Sequence, residues 1–262
     1  MTRWDAEDYA RNSSQQAKWA RELMDRLPWR GDEWVLDVGA GDGKVTAELA
    51  GRVPKGKVVG IDKSDQMVRF AQERFGAVGN LEFRQMDAQQ IEMSERFDVV
   101  FSNATLHWVH DHRAFLRGAA GVMKTGAKLV ISCGGRGNAR HVQDVLEEVI
   151  TREAWRTFFQ QSDQQTYWFL DHTEYRPWLA EAGLEARRVE LTPKDMVHAG
   201  PEGLAGWLRT TWMPHTHRVP EARREEFVQE VVAEYVRRHP LDAEGNVHVG
   251  MVRLEVEAVK VA

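Results

Sequence analysis

Apolar residues recur along this chain with two periods, and the exchange between them sets the expected architecture. Ala20, Leu23, Met24 and Leu27 keep the i, i+3, i+4, i+7 spacing of one helix face. Residues 15–27 are therefore expected to be helical, with Ser13 or Ser14 as N-cap and Pro28 as the stop. The run Trp34-Val35-Leu36-Asp37-Val38 then ends on glycines, as a buried strand does. Further strand-like runs fall at 57–62, 81–86, 97–102 and 127–132. Helix-like stretches separate them at 43–50, 65–75 (capped by Ser64) and 112–123.

After Gly134-Gly135 the pattern changes. Residues 136–170 are polar, helix-prone and rich in aromatics. Residues 171–182 read as a helix closed by Gly183, and 184–191 as a sixth strand. Residues 194–240 form a second helical stretch whose longest helix is 221–238, and 247–261 is strand-like. Strands alternating with helices predict βαβ units, hence an α/β fold with a mostly parallel seven-stranded sheet and helices on both faces. Helical insertions are expected at about 136–170 and 194–240.

Composition narrows the class without changing this picture. The chain has 262 residues, 42% hydrophobic and 29% charged, which excludes a disordered chain, a collagen-like repeat and a coiled coil. No apolar run approaches the ~20 residues of a membrane helix, so no membrane partner is expected. The N-terminal MTRWDAEDYARNSS lacks the apolar core of a secretory signal. A single cysteine, Cys133, excludes an internal disulfide and points to a reducing, cytoplasmic home, where it reads as a small buried filler. The net charge of −5 argues against a nucleic-acid partner. Oligomeric state is not readable from these features.

The strongest chemical signal is Asp37-Val38-Gly39-Ala40-Gly41-Asp42-Gly43, an apolar strand running into glycines that open a helix. Such a turn lets a ligand approach the backbone and offers the free N–H groups of a helix N-terminus; the bland alternative is a tight loop without a ligand. Asp62 ends the second strand 23 residues beyond Gly39, where a carboxylate can accept both hydroxyls of a ribose. Asp87 and Ala88 follow the third strand, where a short acid can face an adenine amine. The glycines read G-x-G-x-G and not the dinucleotide G-x-G-x-x-G, and Asp37 would repel a pyrophosphate. A cationic ligand with an amino-acid tail would suit that carboxylate.

This pattern resembles the class I S-adenosylmethionine (SAM)-dependent methyltransferases, whose sheet has seven strands with the last antiparallel. The resemblance covers roughly 30–135 and the final strands, and it implies a Rossmann-like fold with SAM as methyl donor and S-adenosylhomocysteine as product. It implies cofactor contacts from Asp37, Gly39, Ala40 and Gly41 at the methionine moiety, from Asp62, Lys63 and Met67 after the second strand, and from Asp87 and Ala88 at the adenine. Tyr9, Asn103 and Leu106 complete the implied set.

A second motif, Leu106-His107-Trp108-Val109-His110-Asp111, resembles the small-molecule carboxyl methyltransferases related to the trans-aconitate and juvenile hormone acid enzymes. The segment Tyr9 to Gln16 is similar to the N-terminal Tyr, Ser and Gln stretch of that group, and Trp207–Trp212 is loosely similar to its trans-aconitate side. The resemblance implies that Gln16 and Trp108 contact the substrate carboxylate, with His107 beside them. A carboxylate is ionised at neutral pH and needs no general base, so the task is to hold it in line with the methyl carbon. An amide and an indole N–H are neutral donors that can aim an oxygen without quenching it. Methylation at carbon, nitrogen or phenolic oxygen is the alternative, with His107 or His110 as base; a SAM-binding protein without turnover is a third reading.

Residues 1–29 are expected to form an N-terminal cap helix, and 30–262 the methyltransferase domain. His107, His110 and His112 are too loosely spaced, with no cysteine beside them, to predict a metal. Of ten tryptophans, Trp155, Trp168, Trp178, Trp207 and Trp212 lie in or beside the insertions with Phe158, Phe159, Tyr167 and Phe169. Together they predict an aromatic lid and a substrate with an apolar or planar body, the alternative for each being plain packing. Arg209, Arg218 and Arg253 are candidates for pairing with further carboxylates of a polyacid. The run Glu221–Glu226 reads as a solvated helix face.

Overall fold

The computed structural model describes residues 14–160 and 166–261. Tyr9 and the Ser13 cap lie outside the described residues. The elements in chain order are α1 (Ser14–Met24), β1 (Trp34–Val38), α2 (Lys44–Arg52), β2 (Lys57–Asp62), α3 (Asp65–Phe75), β3 (Leu81–Gln85) and β4 (Phe97–Asn103). A 3-10 turn (Leu106–Trp108), α4 (His112–Val122), β5 (Met123–Gly134), α5 (Arg140–Val149), α6 (His172–Glu181) and β6 (Leu184–His198) follow. The chain closes with α7 (Gly200–Thr211), α8 (Met213–Thr216), α9 (Glu221–Arg238) and β7 (Val247–Lys260).

The sheet has the order β3-β2-β1-β4-β5-β7-β6. β1 runs parallel to β2 and β4, β2 to β3, and β4 to β5, while β7 is antiparallel to β5. The α/β, mostly parallel seven-stranded sheet expected from the pattern is the observed fold, antiparallel last strand included.

Strand alternation divides the core into two layers. Leu36, Val38, Val59, Val100 and Ile131 point to one face, where α4 (Phe115, Leu116, Ala119) and α6 (Tyr175, Leu179) cover them. Val35, Val58, Val99, Phe101 and Val130 point to the other, under α1 (Ala20, Leu23, Met24), α2 (Leu49, Ala50) and α3 (Ala71). Burial on both faces is why these strands read as continuous apolar runs.

One cap signal and one period worked to the residue, while Asp171, expected as the first residue of its helix, is instead the N-cap. Ser64 accepts from the Met67 N–H and starts α3. Asp171 starts α6 with a reciprocal capping box to Glu174. The stripe of 221–238 is α9 as expected.

Other boundaries differ. α1 stops at Met24, short of Leu27, and the Trp29 indole N–H donates to the Met24 carbonyl beyond its end. β5 begins at Met123, because Met123 pairs with Phe97 and Gly126 turns the backbone at φ +80° between that pair and the main ladder. β6 continues through residues 192–198, so the second insertion opens as strand and becomes helical only at Gly200.

The described residues fall into two compact units. One comprises 14–136, 167–192 and 253–261 and contains both core layers above. The other comprises 137–160, 166 and 193–252. Its core holds Trp155, Phe227, Val228, Val231 and Tyr235, and Trp207 packs edge-on against Trp212. Trp155 donates its indole N–H to Glu230 at 2.6 Å and meets Phe227 edge-on. The lid expected from the aromatics is thus corrected for Trp155, Trp207 and Trp212, which are core residues of this unit: large apolar rings are the cheapest filling for a small helical core.

Candidate active site

All the motif residues of the sheet unit converge at the carboxyl ends of β1 to β4, where open α/β sheets bind ligands beside the point at which strand order reverses. β1 and β4 are neighbours there. After β1 the chain turns back over β2, with the N–H groups of Gly39 and Ala40 both donating to the Ile61 carbonyl. Gly39, Gly41 and Gly43 have φ of +83°, +53° and +81°, so the G-x-G-x-G spacing marks three left-handed positions. A Cβ on Gly39 would lie 2.1 Å from Thr105 Oγ1, and one on Gly43 would lie 2.8 Å from Ala71 Cβ. Thr105 donates to the Gly39 carbonyl at 3.2 Å and so ties the β4 loop to the β1 loop.

Asp37 is buried, and its carboxylate accepts from Thr46 Oγ1 at 2.7 Å. Burial pushes its pKa up to about 7; the Thr46 hydroxyl opposes this and the charge of Asp62 adds to it. Asp62 accepts from the Gly41 N–H with one oxygen (2.9 Å) and from the Ser64 N–H with the other (2.8 Å). Each oxygen keeps acceptor capacity, so the carboxylate could take a ribose hydroxyl on either side. Burial raises its pKa against those two donors.

Asp87 pairs with Lys63 at 2.7 Å and accepts from the Gln89 N–H. Burial pushes its pKa upward, but the Gln89 N–H and the Lys63 ammonium outweigh that and hold it below the ordinary range. Met67, Ala88 and Leu106 are buried, the last two inside the core layer under α4. The cofactor set expected from the sequence is brought together at one edge of the sheet, Tyr9 apart. The donors, left-handed glycines and buried acid fit a ligand with a cationic amino-acid end and a ribose.

Beyond β4 the backbone is strained. Ala104 has φ +58°, a left-handed value for a residue with a Cβ, and its N–H donates to the Ser132 carbonyl at 2.7 Å. Asn103 donates from Nδ2 to the Gln16 carbonyl at 3.0 Å, which fixes the start of α1 to the end of β4. The Gln16 side-chain oxygen is buried and has no hydrogen-bond partner among the described residues.

His107 and Trp108 sit on the 3-10 turn that follows. The Gly134 N–H donates to His107 Nδ1 at 3.3 Å, so the ring's proton sits on Nε2. Burial, with the nearby Arg253 charge, lowers its pKa to about 3. The Trp108 ring lies 4.9 Å from Tyr167, which stacks on Phe169 at 5.4 Å; Trp168 meets His110 at 5.0 Å. Of the expected lid aromatics, these three from 167–169 do stand beside the motif. Trp178 packs against Tyr175 instead.

His112 is buried, with Nδ1 2.5 Å from the Tyr175 hydroxyl, and burial lowers its pKa to about 4. Among the described residues no group of three or more His, Cys, Asp or Glu side chains is placed to hold a metal. Cys133 is buried on β5 with its thiol pKa raised to about 12 by burial, which makes it a poor nucleophile.

Of the arginines expected to read a polyacid, Arg209 is bound to Glu225 and Arg218 lies over the Phe159 ring. Arg253 is buried against Ser132 and Asn103. Sequence reasoning missed Thr46, Ala104 and Thr105. Only Thr46 leaves a trace, a hydroxyl in the first turn of the helix that follows an acid-bearing strand.

A seven-stranded sheet with an antiparallel last strand, a left-handed glycine loop after β1 and acids ending β2 and following β3 define a class I SAM-dependent methyltransferase. The chain belongs to that family, and SAM is its cofactor. Residues 36–131 match the methyltransferase domain family. An uncharacterized methyltransferase of Schizosaccharomyces pombe is 34% identical over 193 residues, 71% of this chain and 72% of that protein. A trans-aconitate 2-methyltransferase of Methylobacterium nodulans is 27% identical over 265 residues, 97% of each chain. The structure of Haemonchus contortus phosphoethanolamine N-methyltransferase 2 with phosphomonomethylethanolamine and S-adenosylhomocysteine matches with a TM-score of 0.62 at 17% identity. That match covers 98% of this chain and 57% of the other.

Proposed function

We propose that this methyltransferase acts on a small carboxylic acid with an apolar or planar body and gives its methyl ester. The observation that carries the reading is the imidazole beside Trp108. In His107 the Nδ1 lone pair, the one a base would use, already accepts from the Gly134 N–H, and burial lowers the ring's pKa to about 3. It is far too weak a base to strip a phenol or an alkylammonium, whose pKa values lie near 10. An acceptor that arrives ionised suits such a site.

SAM, when bound, supplies an electrophilic methyl group on a sulfonium. Asp37 and the Gly39–Gly41 backbone hold the methionine end, Asp62 the ribose, and Asp87 with Ala88 the adenine; Lys63 steadies Asp87. Gln16 and the Trp108 indole aim a carboxylate oxygen as neutral donors and leave its charge available. Tyr167 and Phe169, stacked beside Trp108, favour an apolar or planar substrate body and keep water from the nucleophile. The relatives named for trans-aconitate support a carboxylate acceptor. Among the described residues no helix is long and apolar enough to cross a membrane. We assign the protein to the cytoplasm, without nucleic-acid or membrane partners, and treat residues 1–29 as the cap of the substrate site.

The test is transfer of labelled methyl from SAM to a panel of organic acids, trans-aconitate, cinnamate and benzoate included, followed by mild alkali. Methyl esters hydrolyse and release labelled methanol, the expected result. Alkali-stable label would refute the carboxylate acceptor and favour attack by carbon, nitrogen or phenolic oxygen.

A further inference from the structure

Arg253 stands out among the charged groups of the sheet unit. It lies on β7, a strand with a neighbour on each side, with 2% of its surface exposed. Its Nε donates to Ser132 Oγ at 3.1 Å and its Nη2 to the Ser132 carbonyl at 2.7 Å. The same Nη2 lies 3.4 Å from Asn103 Oδ1. Its guanidinium carbon lies over the Trp19 ring, 5.3 Å from the ring centre. Trp19 is on α1, one helical turn beyond Gln16.

Asn103 joins these contacts to Gln16. Its amide has two unlike ends. With Oδ1 toward the guanidinium, Nδ2 faces the Gln16 carbonyl, and both contacts attract. Reversed, the amide would set N–H against a cation and oxygen against a carbonyl. We infer that Arg253 is a positioning residue for Gln16: it locks the Asn103 amide in the orientation that holds the Gln16 carbonyl, and it supports the same helix through Trp19. This rests on the substrate role given to Gln16 above. It also replaces the expectation that Arg253 reads a second substrate carboxylate, since the donors described serve Ser132 and Asn103. Lysine could keep the charge but not the planar fork that spans two oxygens of Ser132 while lying over an indole.

The test compares Arg253→Lys, Gln16→Ala and the double variant, using labelled SAM and the panel acid that is methylated fastest. Arg253→Lys is expected to lower kcat about tenfold, with the SAM Kd and the acceptor KM within about twofold. In the Gln16→Ala background the same change is expected to cost less than about twofold, because its effect runs through a side chain already removed. Hydrogen exchange with SAM bound should rise across residues 14–24 and not across α4. A full second tenfold loss in the double variant, an unchanged kcat in Arg253→Lys, or a loss of SAM affinity equal to the loss of turnover would each overturn the positioning role while leaving the carboxyl reading intact. Unchanged turnover in Gln16→Ala would sink both. If Arg253→Lys fails to fold, Asn103→Asp replaces it: the carboxylate keeps the contact to Arg253 and loses the donor to Gln16, so the same loss of kcat and the same small effect in the Gln16→Ala background are expected, with SAM affinity left out of the readout because Asn103 belongs to the implied cofactor set.

Discussion

Replacing Gly39 by alanine strains the site at a point where two costs add. The residue sits at φ +83°, and holding an L-residue there costs about 1–2 kcal/mol. The new Cβ would also lie 2.1 Å from Thr105 Oγ1 and 2.2 Å from its Cγ2, so Thr105 has to move. Its hydroxyl then gives up the Gly39 and Asn103 carbonyls, about 0.5–1.5 kcal/mol. The total is about 1.5–3.5 kcal/mol. If the loop yields, that strain is expressed in ligand binding, and the SAM Kd rises about 10- to 400-fold. If the loop holds, Tm falls by about 3–14 °C with the affinity kept. Calorimetric titration of SAM together with thermal unfolding separates the two. Gly51→Ala is the matched control: its Cβ meets nothing within 4 Å on α2, so it should stabilise by about 0.5–1 kcal/mol and leave SAM binding alone. A Gly39→Ala protein with wild-type Kd and wild-type Tm would refute the steric reading of the loop.

Three further outcomes are expected. Gln16→Ala and Trp108→Phe should each lower turnover by roughly tenfold or more with the SAM Kd within about twofold; equal loss of SAM affinity in both would undo their assignment to the acceptor. Asp37, with a pKa near 7, must be ionised to attract a cation, so SAM affinity should rise with pH toward 7 and level off above it, and Asp37→Asn should remove that dependence in a titration at pH 6, 7 and 8. His112 has a folded pKa of about 4 against 6.5 unfolded, so the unfolded chain takes up a proton that the folded chain refuses. Its contribution to stability is therefore present above pH 6.5 and is lost as the pH falls toward 4, by at most about 1.4 kcal/mol per pH unit. Urea unfolding at pH 7 and pH 5 should show a smaller drop for His112→Gln, and parallel drops would contradict the assignment.

What could be read along the chain was whatever local chemistry decides. Glycines at 39, 41 and 43 announce left-handed backbone because few other residues tolerate it, and Ser64 announces α3 because a hydroxyl satisfies the first turn. β5 extends beyond its apolar run because nothing local reveals that Met123 finds Phe97 as a partner. The pattern does not separate the tryptophans, because a ring that fills a core and a ring that lines a site have the same composition. Trp155 and Trp108 differ only in what folds against them. Arg253 was the hardest to read. Its neighbours Ser132 and Asn103 lie on β5 and β4, and the encounter depends on β7 entering the sheet beside β5. No spacing along one strand encodes that.

The late position of β7 matters while the protein is being made. β5 and β6 are synthesised first, yet the sheet order leaves a gap between them that only β7 fills. A nascent chain emerging from the ribosome can pair β1 to β5, close the glycine loop and bury both layers around those strands. It cannot yet clamp Asn103, because the guanidinium inferred to orient it lies on β7, after both helical stretches. On the role inferred for Arg253, the glycine loop and the acids after β2 and β3 can take shape before the segment holding Gln16 is fixed.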